Sequence, residues 1–472
     1  MNLNSAPSIA VIGGGFCGSV TLIQLIKQAT KPLNIILINC ENPNGKGIAF
    51  SSYNSRHVLN VPAAKMSAFP DEPEHFINWV KSKQRYQEFV NDELNDRFLP
   101  RVVYGQYLEE LFTKVVEDAP YYVNVKIISD EATDIIQNEE VSEIILKSGS
   151  SFKADIVVLA LGNFLPDNPK IKDDGFYASK KYFRNPWLKK SIQGVKHENN
   201  ILIIGTGLTM VDNVLSLIDE KYEGKIYAIS TKGFFPLSHK KRKPYTDILE
   251  ELHPPYSIPK LYNIFRKHIK YVLSHGITGE AVVDAIRPKT QEIWLSLTLK
   301  DKIRFMSHIR HLWGVARHRL PKEIYDQMQS MIADGKLEII GGRLKVLKEN
   351  GKFIDVVYQD KKFQEEKELK VDRVINCTGP ATDLNRLESP LIKNLLRRGL
   401  ISNDEMKLGI NALPDGTIIH KDHSVSSNFF TIGSMLKGIL WESTAVPELR
   451  TQAKSLAGLL LKKSEVKQKA EA

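Results

Sequence analysis

Apolar runs recur along the chain, and several of them stop at a glycine. Residues 9–12 are all apolar and lead into Gly13-Gly14-Gly15-Phe16-Cys17-Gly18; the stretch 19–27 then offers Val20, Leu22, Ile23 and Ile26 for burial. A short uninterrupted apolar run reads as a strand buried on both faces, and the spacing after it as a helix. The same order returns at 200–204, where Gly205-Thr206-Gly207 follows and a helix extends to about Ile218. Further strands are expected at 34–38, 123–128, 141–146, 155–161, 225–230, 337–340, 344–347, 353–358, 371–376 and 428–433. The runs at 155–161 and 371–376 end at Gly162 and Gly379. Helical spacing marks 74–80, the stretch ending at Val116, most of 247–320, and a long C-terminal helix through Val446, Leu449, Ala453, Leu456, Ala457 and Leu460.

Two strand–glycine–helix starts, each with a later strand that stops at glycine, predict an α/β protein with two dinucleotide-binding, Rossmann-like domains. The first would span 1–195 and bind FAD. The second would span 196–365, carry a mostly helical insert at about 245–325, and bind NADPH. Residues 366–472 would return to complete the first.

In such a turn Gly13 permits the tight bend, Gly15 lets the backbone approach a pyrophosphate, and Gly18 lets helix and strand lie close. Gly14 falls within the same loop. The phosphates sit on free N–H groups at a helix N-terminus, where the dipole favours an anion. The ribose is expected at the end of the second strand, where Asn39 and Glu41 are the two candidates. In the second turn Gly205 and Gly207 stand at the first two glycine positions with Thr209 beside them. Met210 takes the third, so helix and strand must stand farther apart there. Lys232, beyond the strand at 225–230, occupies the place where NADH would want a carboxylate, which favours NADPH. The basic run 239–243 just beyond adds cationic donors for a ribose 2′-phosphate, and reads also as a solvated loop or a targeting patch.

An apolar content of 42% with 25% charged residues describes a globular protein. The three cysteines, Cys17, Cys40 and Cys377, are far apart, which excludes a disulfide framework and a dithiol reductase and points to the cytoplasm. No signal peptide and no apolar stretch long enough to span a membrane are read. The net charge of +10 comes from dispersed lysines without a nucleic-acid motif, so anionic cofactors and a small anionic or amino-acid-like substrate are the expected partners.

Four longer strings add a resemblance: 59–70 (Leu-Asn-Val-Pro-Ala-Ala-Lys-Met-Ser-Ala-Phe-Pro), 205–212, 308–321 and 440–450. With them the chain resembles, over nearly its whole length, the bacterial family described as FAD/NAD(P)-binding proteins. That family is related to flavin-dependent N-hydroxylases and other class B monooxygenases, and its relatives include enzymes that N-oxidise the amino group of aspartate. The resemblance implies FAD in the first site, with Asn60 to Met66 near the isoalloxazine and the segment from Gly433 to Thr444 closing over the ring. Trp441 reads as a flavin-packing ring or as a core aromatic. The chain departs from the pattern at Asn39, at Gly433-Ser434, at Thr231-Lys232, and at Gly314 and Ala316.

An anionic substrate group would need a cation, for which Lys65, Arg310 and Arg317 are candidates; each reads also as surface charge. His308, His311 and His318 lack acidic or cysteine partners at zinc-site spacing, so no metal is expected. The functional expectation is an FAD- and NADPH-dependent monooxygenase that N-hydroxylates a small polar amine. An oxidoreductase with a non-amine acceptor, and a non-catalytic redox sensor, are the alternatives.

Overall fold

The computed structural model describes residues 6–40, 45–137, 141–240 and 244–471, with side chains as far as 466. It divides into two units, one of residues 6–163 and 382–471, the other of 164–381. The expected boundaries at 195 and 365 therefore move. Tyr182–Phe183 pairs in parallel with Arg373–Asn376, a strand of the second unit, and this draws both flanking segments into that unit.

In chain order the first unit begins with β1 (Ser8–Ile12), α1 (Phe16–Gln28), β2 (Leu33–Asn39), α2 (Gly47–Phe50), α3 (His75–Ser82) and α4 (Arg101–Glu117). It continues with β3 (Val123–Ser129), β4 (Ala132–Gln137), β5 (Ser142–Leu146), β6 (Ser151–Ala154) and β7 (Ile156–Leu159). The second unit opens with β8 (Tyr182–Phe183), β9 (Asn200–Ile204), α5 (Leu208–Asp219) and β10 (Lys225–Ser230). A helical insert follows: α6 (Ile258–Ser274), α7 (Glu280–Ala285), α8 (Thr290–Ser296), α9 (Leu299–Arg304) and α10 (Arg310–Arg317). The unit ends with α11 (Lys322–Ala333), β11 (Leu337–Asn350), β12 (Phe353–Asp360), β13 (Glu366–Val371) and β14 (Arg373–Asn376). The return to the first unit supplies α12 (Pro390–Arg398), β15 (Thr417–Ile419), β16 (Val425–Thr431) and α13 (Val446–Glu471).

The first unit's main sheet runs β15-β16-β7-β1-β2-β3, parallel except for the edge strand β15. The second unit's sheet runs β13-β12-β11-β10-β9-β14-β8, parallel from β11 to β8 with β12 and β13 as an antiparallel extension. In each, the strand before the glycine turn lies in the middle, and the chain leaves it on one side and comes back on the other. Such a reversal opens a crevice at the carboxyl ends of the strands.

Burial on both faces explains the unbroken apolar runs. Ile201 and Ile203 of β9 join a cluster with α5 and Met328 of α11, whereas Leu202 and Ile204 join another with Val356 and Val374. In the first unit α1 packs against α13, whose Val446, Leu449, Ala453, Leu456, Ala457 and Leu460 are all buried.

Several strands escape the apolar pattern. Among them are β4 and β6, which pair with the expected β5 in a separate antiparallel sheet, and β13, whose exposed positions alternate with more buried ones as in a strand with one wet face. The two strands expected at 337–340 and 344–347 are one, bent by an irregularity between Leu344 and Val346. A largely buried ion pair ties β14 to the chain just before β9: Arg373 donates to Glu198 Oε1 from Nε at 3.0 Å and Nη2 at 2.6 Å.

Candidate nucleotide sites

The two glycine turns repeat one geometry. Gly13 and Gly205 have φ of +109° and +113°, where side chains are strained. A Cβ on Gly13 would stand 2.2 Å from the Ala160 carbonyl oxygen, and one on Gly205 would stand 2.3 Å from that of Cys377. Both N–H groups reach across to the second strand, Gly13 to Ile38 O (2.8 Å) and Gly205 to Ile229 O (2.7 Å). Gly15 and Gly207 then cap α1 and α5 in extended conformation, and neither helix start has a side-chain cap. The first N–H groups of both helices are thus left for a ligand in the crevice. That arrangement fits a pyrophosphate.

The third glycine position separates the turns. A Cβ on Gly18 would lie 1.8 Å from the Gly13 carbonyl oxygen, so α1 can approach β1 only through glycine. Met210 carries its side chain into the core, fully buried, and its N–H bonds back to Gly207 O at 3.1 Å, three residues away. The Val211 N–H reaches the same oxygen at 3.3 Å, so two donors share the Gly207 carbonyl at the start of α5.

Both units pin the end of the second strand to the turn. The Gly14 N–H donates to Asn39 Oδ1 at 3.0 Å, which commits the carbonyl end of that amide to the loop. The expected ribose contact of Asn39 is therefore limited by its bond to the turn. Glu41, the other ribose candidate, lies outside the described residues, as does 241–243 of the basic run. In the second unit Thr206 Oγ1 meets Ser230 Oγ at 2.9 Å, and Ser230 Oγ also accepts from the Gly233 N–H at 3.0 Å. Sequence reading missed this hydroxyl pair, since a serine at a strand end carries no signal until the turn faces it.

Around the first turn the chain's distant parts converge. The Ser434 hydroxyl donates to Gly162 O at 2.6 Å, and a Cβ on Gly433 would reach Cys17 Sγ at 2.7 Å. Ser443, fully buried, donates to Gly433 O at 2.9 Å and accepts from Gln452 Nε2 of α13 at 2.8 Å. Gly162 itself has open space above it. On the 57–70 segment Asn60 and Lys65 are exposed, while Met66 is buried in the core. Trp441 is also buried, with Lys437 Nζ 5.5 Å from its ring centre, and Thr444 is exposed. Burial pushes the Cys17 thiol up to about 12 and Cys377 well above the ordinary thiol range, so neither is a ready nucleophile.

The substrate candidates are not gathered in one unit. Lys65 belongs to the first, whereas Arg310 and Arg317 of α10 belong to the second. Chain bonds draw α10 toward the loop that follows β10: the His239 N–H donates to Leu320 O at 2.6 Å, and the Leu320 N–H to Leu237 O at 2.8 Å. Among the described residues no group of three histidine, cysteine, aspartate or glutamate side chains is placed to hold a metal ion, and no helix is long and apolar enough to cross a membrane.

Two glycine turns at two sheet reversals are the fold of a protein with two dinucleotide-binding units. Residues 10–164 match the family model described as FAD-NAD(P)-binding. An Escherichia coli (strain K12) protein, YdhS, described as uncharacterised, is 28% identical over 218 residues, 44% of this chain and 39% of that protein. The match thus covers about two fifths of that relative's length. Among solved structures, the chain resembles the Kutzneria sp. 744 ornithine N-hydroxylase KtzI, with reduced FAD, NADP+ and L-ornithine. The TM-score is 0.64 and the identity 11%, over 96% of this chain and 99% of that one. It also resembles the L-lysine 6-monooxygenase of Pseudomonas syringae, with TM-score 0.66 and 16% identity over 97% of this chain and 99% of the other.

Proposed function

We propose that the chain is an FAD- and NADPH-dependent monooxygenase that N-hydroxylates a small polar amine or amino acid. The observation that carries this reading is the paired, uncapped glycine turn, one in each unit, within a fold shared with amine and amino-acid hydroxylases. Gly13, Gly14, Gly15 and Gly18 would hold the FAD pyrophosphate, with Gly162, Gly433, Asn60, Trp441 and Thr444 around the rest of the cofactor. Gly205, Gly207 and Thr209 would hold that of NADPH. Bound FAD, reduced by hydride from NADPH, supplies the activation of O2 and the transfer of one oxygen atom to the amine nitrogen. The chain's own part is to orient the amine, keep water out and neutralise the substrate's anionic group, for which Lys65 is the candidate in the first unit. The spacing of Cys17, Cys40 and Cys377 argues against a dithiol reductase of the same fold.

The purified chain is expected to be yellow, to bleach on anaerobic NADPH, and to oxidise NADPH in air with a hydroxylamine product from one of a panel including ornithine, lysine, cadaverine and aspartate. Folded protein that cannot take up FAD would end this reading. NADPH consumption that yields only hydrogen peroxide across the panel would move it to a non-amine acceptor.

A further inference from the structure

The helical insert of the second unit is where the chain's charge gathers. Residues 252–320 hold twelve lysines and arginines against four acids, so eight of the ten net positive charges fall on this stretch. Within it 252–279 contains no aspartate or glutamate at all, and α6 lies wholly inside that acid-free part.

Packing settles which face of α6 is free. Leu261, His268 and Val272 are buried. His268 ties the helix to the segment before it: Nδ1 meets the Tyr245 hydroxyl, and Nε2 lies 3.3 Å from Glu251 Oε1. About a quarter turn around the helix run Tyr262, Phe265, Ile269 and Leu273, three or four residues apart and so on one line. Tyr262 is 57% and Leu273 59% exposed, and the two between them are half-buried. Arg266 and Lys270 stand beside this line, exposed, and among the described residues neither has a carboxylate partner. The other lysines of the helix are engaged, Lys260 with His253 O at 3.0 Å and Lys267 with Glu251 Oε1 at 2.6 Å.

An apolar line left in water beside uncompensated cations matches the chemistry of an anionic lipid interface. There the apolar groups enter the acyl boundary while the cations reach the headgroups. A nucleic acid would engage the cations and leave Ile269 and Leu273 against water. A second copy of this chain, meeting the same face, would set like charges against each other.

We infer that α6 docks the chain on an anionic phospholipid surface. Tyr262, Phe265, Ile269 and Leu273 enter the boundary between headgroups and acyl chains, and Arg266 and Lys270 meet lipid phosphates. The contact is peripheral, so it needs no spanning helix, and it stands apart from both glycine turns.

The test is co-sedimentation of the full chain with vesicles of phosphatidylcholine, alone or mixed with phosphatidylglycerol. Wild type is expected to bind the mixed vesicles at least about 30-fold more strongly, since each cation at such a surface contributes about fivefold. At about 1 M salt, where screening acts within about 3 Å, that preference should vanish. Arg266→Gln/Lys270→Gln should weaken binding to mixed vesicles by about 25-fold. Tyr262→Ser/Leu273→Ser should weaken it by at least about 10-fold with the charge unchanged. All four side chains are exposed, so circular dichroism and melting temperature should stay at wild-type values.

Wild type that stays in the supernatant with mixed vesicles overturns the inference. So does binding that Tyr262→Ser/Leu273→Ser leaves unchanged, because charge alone would then explain it. An oligonucleotide of mixed sequence held more tightly than the vesicles would make this a nucleic-acid surface instead. A dimer that Tyr262→Ser/Leu273→Ser dissociates, in a chain that binds no vesicles, would assign the line to a second copy. None of these readings needs turnover, so each stands whether or not an amine is hydroxylated.

Discussion

Replacing Gly15 by alanine is expected to leave the chain folded and strip it of FAD. Gly15 has φ of −75°, which alanine adopts freely, and its added Cβ would meet only the Gly47 Cα, at an ordinary 3.5 Å. The cost to the fold is that of an alanine helix cap, about 1 kcal/mol. The methyl would instead occupy the crevice in front of the first N–H groups of α1, where a pyrophosphate must come within hydrogen-bonding distance. Losing those bonds should weaken FAD by at least about 100-fold, or about 2.7 kcal/mol. Flavin absorbance per protein and far-ultraviolet circular dichroism, measured on the same sample, decide it. A variant that retains full flavin content would show that the pyrophosphate does not approach Gly15. Gly18→Ala is the contrast: a Cβ 1.8 Å from the Gly13 oxygen pushes α1 off β1, so fold and flavin should be lost together.

Arg373→Ala is expected to destabilise the second unit by about 3–5 kcal/mol, the usual result of stranding one partner of a buried pair. Besides its two bonds to Glu198 Oε1, Arg373 donates from Nη1 to Ser191 O at 2.8 Å, and its guanidinium lies over the Phe183 ring at 4.8 Å. Burial already pushes Glu198 above the ordinary carboxyl range, and Arg373 pulls it back. Without the arginine that group rises further, so the variant's stability should fall as pH climbs through the carboxyl range, and the deficit should narrow in acid. Urea unfolding at two pH values measures this. A loss below about 1 kcal/mol would mean that water reaches the carboxylate once the arginine is gone. Removing the charge as well, in Arg373→Met/Glu198→Gln, should recover much of the loss.

The legible parts were those in which one residue meets a local demand. Gly13 and Gly205 are required by positive φ, and Gly18 by contact with a backbone atom five residues back; these constraints act within a few residues and leave a readable spacing. The strand runs at 9–12 and 200–204 were legible because both sheet faces are covered, which removes polar positions. β4 and β13 were not, because a half-wet strand admits charges that a loop also admits.

Placement was another matter. The basic character of Arg310 was plain, and its setting was not: bonds between 237–239 and Leu320 tie the chain after α10 to the loop after β10, far away in sequence. Asn39 and Met66 show the same gap. Position at a strand end suggested a ribose contact for Asn39, and the resemblance set Met66 near the flavin, but the orientation of the Asn39 amide toward Gly14 and the burial of Met66 are set by packing.

By itself, then, the sequence determined that this protein holds two strand–glycine–helix turns in an α/β framework, since backbone sterics and burial act locally and leave periodic marks. Only the tertiary structure decided where the units divide and which distant strands close each crevice. Those depend on contacts between residues far apart in the chain, and no local pattern records them.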